Sequence, residues 1–97
     1  MTPNINTTRI AVDLIVAVNY TSHDFQQYRV VRSILCQSTN EIVFLIYAYG
    51  GTISGYLCQS YSTVTGNITL IAYTPDKSEA LLAYTDYILE NIRQHSN

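Results

Sequence analysis

Ile42-Val43-Phe44-Leu45-Ile46-Tyr47-Ala48-Tyr49 runs without a charged or strongly polar interruption from Asn40-Glu41 to Gly50-Gly51. Eight consecutive residues of this kind, rich in β-branched and aromatic types and bounded by turn-forming residues, predict a strand buried on both faces. Such a strand belongs at the centre of a sheet. The glycine pair supplies positive-φ conformations for a reversal, and strand-like sequence resumes at Thr52, so the run reads as the first arm of a hairpin.

Downstream, residues 52–63 form a more polar third strand, with Gly55 inside it as a bulge or a point of close approach. Thr65-Gly66-Asn67 is a turn, and over 67–73 Ile68, Leu70 and Ala72 alternate with Thr69, Ile71 and Tyr73. Thr74-Pro75-Asp76 then combines a hydroxyl cap, a proline suited to the first helical position and an acid favourable to the helix dipole. The helix predicted from it spans 75–94, with an apolar stripe of Leu81, Tyr84, Ile88 and Ile92 widened by Leu82 and Leu89.

Upstream, Ile10, Val12, Leu14, Val16 and Val18 share one parity, which predicts a strand over 8–19. Thr21-Ser22-His23-Asp24 resembles a helix start, and Phe25, Tyr28, Val31 and Leu35 follow at helical spacing, so 23–36 reads as a helix. Strand parity fails there, because Arg29, Arg32 and Ser33 fall among apolar residues on both sides. The expected fold is α+β in a single domain, 1–97. Strands 8–19, 41–49, 52–63 and 67–73 form a four-stranded, mostly antiparallel sheet, and helices 23–36 and 75–94 pack with one or both on one face. If 23–36 is a strand, the alternative is a five-stranded meander with one C-terminal helix. Residues 1–7 read as a flexible arm and 95–97 as a frayed tail.

Composition narrows function by exclusion. Charged residues make up 12% of the chain, about half the usual share, so the surface must be largely neutral and polar. Net charge is −2 and Lys77 is the single lysine, so no basic field exists to hold phosphates and nucleic-acid binding is disfavoured. No run is long and apolar enough for a membrane span, and the first residues lack the pattern of a signal peptide, so an intracellular location is expected. In that setting Cys36 and Cys58 are expected as buried thiols, and the Asn-x-Ser/Thr triplets at Asn6, Asn19 and Asn67 carry little weight. The seven Asp and Glu face seven Lys, Arg and His, so charge at low pH stays modest and an acid-tolerant fold is expected.

No catalytic, cofactor or metal motif stands out. His23-Asp24 is the adjacent base and acid pair, and Asp13 interrupts an apolar segment, where a buried carboxylate would need a partner such as Arg29 or Arg32. A small ligand-binding domain or enzyme built on His23, Asp24 and Asp13 is the alternative reading. Two histidines and two scattered cysteines match no zinc spacing. Gly50, Gly51 and Gly55 are followed by a strand, whereas phosphate-binding loops open a helix. The strongest bias is nine tyrosines with no tryptophan. Tyrosine buries large apolar area while keeping a hydroxyl for a partner, which suits protein contact. Tyr47, Tyr49, Tyr56, Tyr61 and Tyr73 are the candidate interface residues. A central strand with two apolar faces, and two helices able to cover little more than one of them, leads to a non-enzymatic homodimer.

Very low charge, one lysine and many Tyr, Thr and Ile resemble the small orphan proteins of archaeal viruses from acidic hot springs, such as the lipothrixviruses. That resemblance spans the whole chain and rests on composition. It implies a hot acidic host, a thermostable accessory protein that contacts host or viral proteins or the virion, and often a homodimer. A sheet with a packed C-terminal helix is also similar to small dimerisation modules of the roadblock type, but those carry a helix ahead of the first strand, and the elements expected here begin with a strand.

Overall fold

The computed structural model describes the backbone of residues 6–95 and the side chains of 6–91. The elements run α1 (Thr7–Asn19), β1 (Gln27–Cys36), β2 (Glu41–Tyr49), β3 (Gly55–Ser62), β4 (Ile68–Thr74) and α2 (Lys77–His95). The strands form one antiparallel sheet in the order β1-β2-β3-β4. The fold is therefore α+β with four strands and two helices, as the sequence predicts, but the first two elements are exchanged. Segment 8–19 is helix rather than strand, and most of 23–36 is strand rather than helix.

Both exchanges have a physical origin. From Ile10 to Val18 every position of α1 except Asp13 is apolar, so a period of two and a period of 3.6 both fit, and packing decides between them. Val12, Ile15 and Val16 point to the core, and Asn6 caps the helix by accepting from Arg9 N at 2.9 Å. Asn6 and Thr7 thus belong to the helix and not to an arm; the rest of the expected arm, and residues 96–97 of the expected tail, lie outside the described residues. In β1 the register shifts between Val30 and Arg32. This bulge at Val31 resets which residues share a face, so Tyr28 and Val30 lie on one side and, after it, Ser33 and Leu35 continue that side. Parity fails because the strand is bulged. The Thr21 to Asp24 stretch is a turn closed on itself, with the Asp24 carboxylate accepting from Thr21 N and Thr21 Oγ1.

Alternate residues of β2 feed two separate cores. Ile42, Phe44, Ile46 and Ala48 join Val12, Ile15, Val16, Phe25 and Leu57 on the α1 side. Val43 and Leu45 join Cys36, Cys58, Ala80 and Tyr84 on the α2 side. Each face of the sheet therefore carries one helix. α2 starts at Lys77, and its cap falls on Asp76, whose side chain accepts from Ser78 N and whose carbonyl accepts from Ala80 N. Thr74 turns the chain into it by accepting from Asp76 N and donating to Glu79. Of the expected stripe, Leu81, Tyr84 and Ile88 pack inward with Tyr87, whereas Leu82 and Leu89 are exposed; the Ile92 side chain lies outside the described residues.

The link between β2 and β3 is a loop over 50–54, so β3 starts three residues later than expected. Gly51 is where the turn ahead of β1 presses against this loop: Thr52 N donates to His23 O and Ile53 N to Asp24 O. A Cβ at Gly51 would sit 2.6 Å from Asp24 O and Phe25 Cα. Gly51→Ala is expected to cost roughly 1–3 kcal/mol, because backbone on both sides must shift. Urea denaturation reads it, and an unchanged midpoint would show that the two loops do not abut. Gly55, the expected bulge or close-approach site, is the latter, lying against Thr74 O and Tyr73. The bulge sits instead on β4, where Cys58 and Gln59 pair with Ala72 and Leu70 and leave Ile71 over.

Candidate functional site: two apolar surfaces on opposite faces

α2 packs on β4, β3 and β2. It is tied at one end by Glu41, whose Oε1 accepts from Ser60 Oγ at 2.7 Å, Tyr87 Oη at 2.8 Å and Asn91 Nδ2 at 3.4 Å. At the other end of the same face, tyrosines from two neighbouring strands meet. Tyr47 stands 5.4 Å from Tyr49 and 4.7 Å from Tyr56 between ring centroids, both pairs tilted. In register, Tyr47 lies opposite Arg29 and Tyr49 opposite Gln27. The result is a cluster of tilted aromatic rings with an arginine opposite it on the neighbouring edge strand.

The α1 face differs. α1 packs on β1 and β2, so helix covers only half the width of the sheet. On the other half, Tyr61, Gln59 and Leu57 of β3 pair with Ile68, Leu70 and Tyr73 of β4. Leu70 is 55% and Tyr73 49% exposed, although the Tyr73 hydroxyl is bound to both Ser54 N and Ser54 O. The five candidate tyrosines thus divide: Tyr47, Tyr49 and Tyr56 are brought together, and Tyr61 and Tyr73 belong to the opposite face. Gln59 is buried beneath this half, and its Oε1 has no hydrogen-bond partner.

α1 carries the feature that sequence reasoning missed. Its outer side presents Ile10, Leu14 and Val18, exposed by 52%, 64% and 82%, with Ala17 between them. Residues four apart lie above one another on a helix, so these form a stripe. A helix that is apolar all round is normally buried all round. The signal was present in the sequence as a segment too apolar for one face, and it was absorbed into the reading as a strand.

The remaining candidates are dispersed. Asp13 sits on α1 and accepts from Tyr28 Oη at 3.3 Å, not from an arginine. Burial first, and then the Asp13 charge, push the Tyr28 phenol up. Asp24 closes its own turn and His23 receives Thr52 on its carbonyl. A cleft of about 180 Å3 beside the end of α1 is lined by Val16, Ala17, Tyr20, Thr21, Ser22, Phe25, Gln26 and Tyr28, so it does not gather His23, Asp24 and Asp13. Among the described residues no group of His, Cys, Asp and Glu is placed to hold a metal, and no helix is long and apolar enough to cross a membrane. Cys36 and Cys58 are free, buried thiols.

No protein-family model, curated protein or solved structure matches the chain. The geometry of its surfaces therefore carries the functional argument.

Proposed function

We propose that the chain is a non-enzymatic interaction module that acts as a homodimer through protein contacts. The observation that carries this reading is the outer stripe of α1, where Ile10, Leu14 and Val18 face solvent on a helix whose inner side is already in a core. Apolar patches of this kind mark association surfaces. Scarce surface charge supports the same conclusion, since few side chains would have to be desolvated on contact. Its composition supports an accessory role in a viral setting, in the host cytoplasm or with the virion. The cluster of Tyr47, Tyr49 and Tyr56 on the other face suits a second contact, with a host or viral protein. Sedimentation equilibrium at micromolar concentration is expected to give twice the chain mass. A monomer at that concentration would remove the reading.

A further inference from the structure

We infer that the dimer forms face to face, with the α1 helix of each copy seated on the open half of the other copy's sheet, over β3 and β4. The inference rests on the homodimer reading above and specifies its surface. Its first support is dimensional. Strands lie about 4.8 Å apart and a helix with its side chains is about 10–12 Å across, so one helix covers about two of four strands. α1 occupies β1 and β2; on the other half Leu57 and Gln59 of β3 are already buried, and the helix-free exposed strip runs along β4, at Leu70 and Tyr73. Each copy therefore offers a helix with an unused apolar side and a half-sheet with no helix on it. These are the two complementary halves of an isologous contact about a two-fold axis.

The side chains match. The outer stripe of Ile10, Leu14, Ala17 and Val18 would meet Leu70, Tyr73, Ile68 and Tyr61 of the other copy, an apolar surface against an apolar surface. Charge stays clear of the seam: Asp13 lies on the flank of α1 that meets Tyr28 of edge strand β1. By helical geometry the opposite flank holds Ala11 and Val18, where the two helices would run side by side. From their exposures, these side chains offer roughly 600–800 Å2 per copy, close to the ~800 Å2 per partner of a standard specific interface. Edge-to-edge pairing is the competing route to a dimer. Both edge strands are interrupted against it, β1 at Val31 and β4 at Ile71, and bulged edges pair poorly with other edges.

The test uses the full chain with single substitutions at exposed positions. Leu14→Arg and Leu70→Arg are each expected to raise the dimer dissociation constant at least 100-fold, with the far-UV spectrum unchanged at a concentration where each variant is monomeric. A cysteine pair then reads the geometry. Mixing the Leu14→Cys and Leu70→Cys proteins under mild oxidation is expected to yield a disulfide-linked dimer of the two, while Leu14→Cys alone does not self-link. A wild-type monomer overturns both this arrangement and the homodimer reading. A dimer insensitive to both arginine substitutions, or one in which Leu14→Cys links efficiently to itself, overturns the arrangement alone and leaves the homodimer standing.

Discussion

Phe44→Ala is expected to remove about 3–5 kcal/mol of stability, a large part of the ~5–15 kcal/mol that a domain of this size has. Phe44 is fully buried at the centre of the α1-side core, with Val12, Val16, Ile42 and Ile46 in the same cluster. Its register partners are Ser33 and Gln59, a small residue and a polar one, and neither can expand into the space a ring leaves. The cavity would remain, and β-branched neighbours held in a sheet have little rotamer freedom with which to collapse it. At about 4–8 °C per kcal/mol the melting temperature should fall by roughly 12–40 °C. Urea denaturation at fixed protein concentration gives the free energy, with the midpoint lowered and the slope kept. Val64→Ala, at an exposed turn residue, is the control and should stay within about 0.5 kcal/mol. A loss below about 1 kcal/mol for Phe44→Ala would mean that α1 does not close a packed core.

Alkali should unfold the protein well before it affects an ordinary surface. Burial pushes the Cys58 thiol up to about 11. Burial, and then the neighbouring Cys58 and Cys36, push the Tyr84 phenol up to about 12. In the unfolded chain these groups ionise near 8.5 and 10. Above those values the unfolded state gives up protons that the folded state retains, so folding stability falls as pH rises. The contribution is whole below the unfolded value and is lost progressively as pH climbs through the folded one. By pH 12 Cys58 should account for about 3 kcal/mol and Tyr84 for about 2 kcal/mol. Tyr20, Tyr28 and Cys36 shift in the same direction, chiefly through burial. Melting temperatures should hold level up to about pH 8 and then decline steeply toward pH 12. Cys58→Ala should start less stable and lose less between pH 8 and 11. A melting temperature constant to pH 12 would contradict the packing of α2 on Cys58.

What the sequence made legible follows from how locally each signal is written. The 41–49 strand stands out because it is buried on both sides, which needs no period to detect. The start of α2 is set by Thr74 and Asp76 within three residues, so it is found to within two positions. Segment 8–19 defeated the reading because its identity depends on what lies beneath it: Val12 and Val16 face a core that only exists once β1 and β2 are paired. Segment 27–36 defeated it through one extra residue, Val31, which inverts the alternation halfway along. Which tyrosines share a face was not legible, since the faces of Tyr61 and Tyr73 depend on strand register across a sheet. The α1 stripe was visible as excess hydrophobicity and lacked only the assignment of a helix to give it a direction.

The order β1-β2-β3-β4 means that every strand pairs with the strand next to it in the chain, so contacts within the sheet are local and can form quickly. α1 stands outside that scheme. α1 precedes the strands in the chain, so its inner surface is made before β1 and β2, on which it packs. In the proposed homodimer its outer surface would be covered later still, by a second copy. On that arrangement a helix made ahead of the sheet would be the last element sheltered, and its burial would depend on a second copy as well as on the chain's own sheet.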